Sequence, residues 1–360
     1  MEAIIIVSLL VAYFVPLGII YLIPIGNKFI KNFSDGCNLS KETTGTLKGV
    51  LIIGIMISHI ALRSSYFQTD IISNLAFKAI LIILGNLGTI GVSGFYVLSG
   101  YGNGYSLDKC MSRLQVTMWF WKRVKKIIIT FLICYMVVVY FDFFVYGHKY
   151  TSSKIVQEVC TLTIPDTTTW YLKIQMLLYV FTFLIMIITM NRKVTGIGIT
   201  VLCILYVIWA KYIMDLDGYW WNTVICYPVG YYINLYMRQM QLFLLHNIRK
   251  STLFITILGI VAFLVTVIFP NQFIFQILAF TIIGTVIIIM AQVAERKITI
   301  CEKLGNISFE LYLIHIGLVS IVIPQYELVV SQVILFLVLS ITFSYISYLL
   351  KQLLEKRFIK

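Results

Sequence analysis

Three titratable side chains, His59, Glu310 and His315, fall inside long apolar runs of this 360-residue chain rather than at their ends. Within a bilayer such groups cost about 2.5–3.5 kcal/mol each on insertion scales, so each is a functional candidate by default. Imidazole moves protons near neutral pH, and it can serve as general base on a hydroxyl or carry an acyl group transiently. The structural alternative is an interhelical hydrogen bond and nothing more. Spacing leaves both readings open for His59. It favours the structural one for His315, and for Glu310, whose carboxyl needs only a polar partner on another helix.

His59 follows Lys48 by eleven residues, a rise of about 16 Å and three full helical turns. The two side chains therefore share one helix face, with the lysine at the inner lip and the histidine near mid-depth. His315 lies eleven residues beyond Leu304, the inner start of its own run, so the two histidines are expected at similar depth, approached from the same side. Glu310 precedes His315 by five residues, about 140° around a helix, and cannot share its face. A second pattern is cationic: Trp119-Phe120-Trp121-Lys122-Arg123-Val124-Lys125-Lys126 closes an inner loop that starts at Asn103. Topology alone accounts for cations and tryptophans there. Yet the pairs Lys122/Lys125 and Arg123/Lys126, three apart on a continuing helix, set charges side by side. Such pairs suit a multiply anionic ligand, for instance the phosphates of a nucleotide-like cofactor.

Composition dictates the elements that must position these groups. Hydrophobic residues make up 60% of the chain and charged residues 12%, with mean hydropathy +0.94; globular domains carry about 25% charged residues. A water-soluble core is excluded. Apolar runs lie near 3–25, 48–62, 75–100, 126–146, 170–190, 194–212, 223–237, 252–269, 273–292, 304–323 and 329–350, against roughly 20 residues needed per crossing. The second and seventh are short, and are expected to tilt, begin early or sit partly at the interface. The expected fold is all-α: a polytopic transmembrane helical bundle of about 11 helices with no appended soluble domain.

With the N-terminus outside, 22 of the 28 Lys and Arg residues fall in inner loops and the tail, and only Arg63, Lys78, Lys149, Lys154, Lys173 and Lys211 fall outside. This asymmetry predicts an N-out, C-in chain, and it accounts for the formal charge of +13 without nucleic acid as a partner. The seven cysteines are scattered with no metal-ligand spacing, so reduced, structural thiols and no metal are expected. The first run lacks a basic leader and a cleavage site, and reads as a retained helix.

Five segments, in order along the chain, resemble the membrane-bound acyltransferase-3 family. Lys48 through His59 is similar to its basic-x10-His opening, where members usually have Arg in place of Lys48. Gly91-Val92-Ser93-Gly94-Phe95-Tyr96-Val97-Leu98-Ser99-Gly100-Tyr101 resembles its Gly-Val-aromatic-Leu-Ser-Gly-Tyr/Phe segment. Trp121-Lys122-Arg123-Val124 resembles its basic stretch, and Trp170-Tyr171-Leu172 its Trp-Phe-Leu element. Ile307-Ser308-Phe309-Glu310-Leu311-Tyr312-Leu313-Ile314-His315 is similar to its Ile-Ser-Tyr-x-x-Tyr-Leu-x-His close. On this resemblance, residues 46–350 form the acyltransferase-like bundle. Residues 1–45 add a transmembrane helix and cytoplasmic loop, and 351–360 form a basic cytoplasmic tail.

The resemblance implies transfer of an acyl group, usually acetyl from acetyl-CoA, to a carbohydrate hydroxyl by a multi-pass protein of the cell membrane. The partners would be acyl-CoA, a carbohydrate or lipid-linked glycan acceptor, and the lipid bilayer. His59 would be catalytic, as general base or transient acyl carrier. Lys48, Lys122, Arg123 and Lys126 would hold the cofactor phosphates, while Ser99, Tyr101 and His315 would line the pocket or orient His59. Three other classes share the composition. A polytopic glycan transporter or flippase would also be basic inside. A glycan polymerase would carry a larger outer loop than 147–169, and a purely structural membrane partner would need no mid-membrane histidine.

Overall fold

Ser40 sets where the first described helix begins. Its hydroxyl accepts the backbone N–H of Thr43 at 3.0 Å, satisfying one of the otherwise orphaned amide donors. Glu42 in the first turn complements the helix dipole. The computed structural model describes residues 39–63, 75–164, 169–246, 248–270, 272–294, 297–324 and 328–358. Among them are thirteen α-helices and no strand. In chain order they are α1 (Lys41–Ala61), α2 (Leu75–Leu107), α3 (Arg113–Tyr146), α4 (Ser152–Cys160), α5 (Trp170–Thr189), α6 (Arg192–Ile208) and α7 (Cys226–Leu235). There follow α8 (Met237–His246), α9 (Ile248–Ile268), α10 (Phe273–Ala294), α11 (Thr299–Asn306), α12 (Ser308–Val322) and α13 (Val330–Phe358).

Eight of these helices are long and apolar enough to cross a membrane, and α11 with α12, bent by 75° at their junction, makes a ninth span if taken together. The eight correspond to the expected runs from 48, 75, 126, 170, 194, 252, 273 and 329, and the bent pair to the run from 304. The first expected run, 3–25, lies outside the described residues. The seventh run yields only the ten-residue α7. Even so, its flanks follow α10 from end to end. The Trp221 ring packs on Phe273 at 4.8 Å, the Cys226 thiol meets the Phe280 carbonyl at 3.6 Å, and the Gln292 amide reaches the Met237 sulfur at 3.2 Å. The segment therefore runs the length of α10, with turns in place of helix in its first half.

Glycine allows two crossings to close backbone on backbone. A Cβ on Gly49 of α1 would lie 1.9 Å from the Cys301 carbonyl oxygen of α11, and one on Gly305 would lie 1.8 Å from that of Gly45. At the α2–α7 crossing, Gly100 stands in the same relation to Tyr227 and Gly230 to Val97. Small residues let apolar helices approach where water supplies no driving force between them. Outward-facing apolar side chains such as Met136, Ile188 and Phe254 remain exposed, as a lipid-facing surface requires.

After α3 the chain turns back along the bundle. Gly147, in the left-handed conformation, ends α3. Then α4 folds along the side of α3, where the Tyr135 hydroxyl donates to Glu158 at 2.7 Å. A Cβ on Gly317 of α12 would lie 2.8 Å from Val138 and 3.1 Å from Ile164, closer than ordinary contact, so Ile164 rests against the middle of α12. The expected cytoplasmic tail from 351 proves to be helical through Phe358.

Candidate active site

The deep polar group of α1 meets that of α12. The rings of His59 and His315 lie 5.1 Å apart, centroid to centroid, so the similar depth expected from their spacing holds. His59 keeps part of its surface accessible, whereas His315 is fully buried. His315 Nδ1 lies 2.8 Å from the Leu311 carbonyl oxygen. A carbonyl can only accept, so Nδ1 carries the proton of this bond and Nε2 of the neutral ring is left as the acceptor. Nε2 has no hydrogen-bond partner among the described residues.

Aromatic side chains extend this pair. The Tyr312 ring lies 5.8 Å from His315 and 5.1 Å from Tyr171, and Tyr171 lies 5.0 Å from Tyr96. Tyr171 is the second residue of α5, so the start of this helix packs beside the histidine pair. Tyr96, Tyr171 and Tyr312 all fall in the segments that resemble the family's motifs, but sequence alone assigned none of the three a role. One available signal was that Tyr312 precedes His315 by three residues, a spacing that makes side chains neighbours on a helix.

At the other end of the Lys48–His59 face, cations from two helices gather. Lys48 is half-buried, and the like charges that act on it are Lys126 and Arg123 of α3. Arg123 donates to the Ser106 hydroxyl at the end of α2, 2.9 Å away. Lys122 and Lys126 are both exposed. The basic stretch expected to close an inner loop is thus already helical, because Ser112 caps α3 through the Gln115 N–H. These cations stand about 16 Å from the part-exposed His59, measured along the axis of α1.

The remaining expected residues occupy separate positions. Ser99 accepts a hydrogen bond from the Gln175 amide at 2.8 Å, joining α2 to α5. The Tyr101 hydroxyl accepts the Leu39 N–H at 3.1 Å, tying the end of α2 to the start of α1. Glu310 forms a buried ion pair with Lys351 of α13, the polar partner on another helix that its spacing suggested. One turn beyond His59, Arg63 donates to the Ser320 hydroxyl of α12.

All of this arrangement except Leu39 and Lys351 falls within one match. A family model described as an acyltransferase domain covers residues 46–349. No curated protein matches the chain, and no solved structure does.

Proposed function

The chain belongs to the acyltransferase-3 family, and from that premise we propose that it is a membrane O-acyltransferase. It would move an acyl group, acetyl above others, from acyl-CoA on the cytoplasmic side to a hydroxyl of a cell-surface or lipid-linked carbohydrate. One observation carries this reading: an accessible imidazole in ring contact with a buried one, three helical turns from the cations around Lys48. That arrangement suits a donor whose phosphates and thioester occupy opposite ends of a long arm. The N-out, C-in orientation and a plasma-membrane location complete the proposal, supported by the basic residues concentrated in alternate loops.

In the proposed step, His59 takes the proton of the acceptor hydroxyl as its oxygen attacks the thioester carbonyl carbon. The C–O bond forms and the C–S bond then breaks. The imidazolium returns its proton to the departing CoA thiolate, so the products are an ester and a free thiol. Lys48, Arg123 and Lys126 hold the donor phosphates, Arg through its planar fork of N–H groups. His315, anchored on Leu311, packs against the base and limits its rotation. Its role is to orient, and that of Ser99 with Gln175 is to fix α2 against α5.

The deciding experiment uses the full chain in liposomes with labelled acetyl-CoA and a panel of glycan acceptors. Label appearing in glycan with wild type, and not with His59→Ala, supports transfer. Label that stays in acetyl-CoA with every acceptor, while a glycan crosses the vesicle wall, would establish a transporter or flippase instead. Chain growth without label incorporation would identify a polymerase.

A further inference from the structure

Three buried polar atoms beside the histidine pair have no hydrogen-bond partner among the described residues: the hydroxyls of Tyr96 and Tyr312, and Nε2 of His315. In native proteins nearly every buried polar group is paired, and inside hydrocarbon the penalty for leaving one unpaired is larger than in water. These three belong to one cluster. Tyr312 touches His315 and Tyr171, and Tyr171 touches Tyr96. All three residues are 0–5% exposed. Unpaired polar atoms in one ring cluster, two of them hydroxyl donors and one on the histidine that touches His59, are explained by a polar atom that arrives with substrate.

Acyl transfer from a thioester requires such donors. As the acceptor oxygen adds, the carbonyl oxygen becomes an oxyanion, and its stabilisation is commonly the largest electrostatic contribution to catalysis. Backbone N–H groups often provide it, but here His59, Tyr96 and His315 lie mid-helix, where amides are committed to their own helix. The nearby side-chain donors are also engaged: Arg63 with Ser320, and the Gln175 amide with Ser99. Tyrosine hydroxyls remain. Resting on the acyl-transfer reading above, we propose that the Tyr312 hydroxyl, seconded by that of Tyr96, donates the hydrogen bond to the oxyanion formed in the transfer step. Neither tyrosine gives up its proton. Each O–H strengthens its bond as negative charge grows on the former carbonyl oxygen, and releases it when the C–S bond breaks and the ester carbonyl re-forms.

The test is a hydroxyl deletion that keeps the ring. Tyr312→Phe and Tyr96→Phe are assayed in the full-length protein in liposomes, with acetyl-CoA binding, kcat and thermal midpoint measured for each. Tyr312→Phe should lower kcat by about 10²–10³-fold, the usual loss for one oxyanion donor. Donor Kd should stay within about twofold, because the oxyanion is absent from the bound ground state. The thermal midpoint of ligand-free protein should hold or rise, since an unpaired buried hydroxyl is removed. Tyr96→Phe should give the same pattern with a smaller loss. Retention of wild-type kcat by Tyr312→Phe overturns the proposal. So does a fall in thermal midpoint that parallels the fall in kcat, which marks a structural hydroxyl. If wild type transfers and His59→Ala does not, an active Tyr312→Phe sinks this inference alone; a wild type that transfers nothing removes the acyltransferase reading with it.

Discussion

The rings of His59 and His315 meet at 5.1 Å, tilted by 44°, and His59 is part-exposed where His315 is fully buried. That difference ranks them. In the proposed reaction the part-exposed imidazole is the one that meets the acceptor hydroxyl, and the buried one is held on the Leu311 carbonyl. His59→Ala and His59→Gln should each lower acyl transfer by about 10²–10⁴-fold, the usual worth of general-base work. Both variants should still insert and fold. His315→Ala should cost less in kcat, because it removes support for the base rather than the base. Product formation in liposomes measures both, and near-normal turnover by His59→Ala would defeat the mechanism.

Donor binding should depend on the inner cations. Lys48→Ala and Arg123→Ala are each expected to weaken acetyl-CoA binding by about tenfold or more, since a hydrogen bond to a charged group contributes about 1.5–3 kcal/mol. Their gap from wild type should narrow as salt rises, because screening weakens the lost interaction in the reference protein too. Lys48→Arg keeps the charge and should bind nearly as wild type. Titration calorimetry at two ionic strengths gives all of these values, and unchanged affinity in both alanine variants would assign the cations to topology alone.

The Glu310–Lys351 pair, almost wholly buried between α12 and α13, should behave as a unit. Glu310→Gln alone or Lys351→Met alone leaves one buried charge uncompensated, and should destabilise the protein by about 3–5 kcal/mol. The double variant Glu310→Gln/Lys351→Met, with neither charge, should recover most of that loss. Thermal unfolding in detergent provides the comparison. A double variant as unstable as the sum of the singles would mean that the two side chains act independently.

Orientation can be read through single cysteines. Lys149 is exposed just after α3 and Cys301 is half-buried on α11, at what the N-out, C-in assignment makes opposite faces. In variants that keep one cysteine each, a membrane-impermeant maleimide should label Lys149→Cys in intact cells and reach Cys301 only after permeabilisation. The reverse pattern would invert the assignment of faces.

Periodicity made one part of the site legible. Lys48 and His59 sit three turns apart on one helix, and that arithmetic needs no tertiary information. The partnership of Glu310 was legible in kind but not in identity, because Lys351 reads as a tail residue until α13 is seen to continue past it. The early start of α1 was hidden by its own polar first turns, which fail an apolar test although Ser40 caps them. The return of α4 along α3 was hidden for a related reason: a short amphipathic helix between two spans carries no bilayer-length signal. The tyrosines were visible in place but not in role. Tyr96 and Tyr312 lie in segments that resemble the family's motifs, yet with 23 tyrosines in the chain only an unpaired hydroxyl in three dimensions suggests what these two do.

The backbone contact at Gly49 bears on the entropy of donor capture. Lys48 is its chain neighbour, so the lysine stem departs from a stretch of main chain pressed against the carbonyl of Cys301. Backbone motion at that point is therefore limited before any ligand arrives, and the ammonium group searches only the freedom of its own side chain. Ordering a flexible charged side chain and its loop opposes binding by about 0.5–1.5 kcal/mol per side chain. A cation mounted on a clamped helix avoids the backbone share of that loss. The proposed donor site is in this sense rigid where it is charged, and on that reading a larger residue at Gly49 should weaken donor binding without touching a single phosphate.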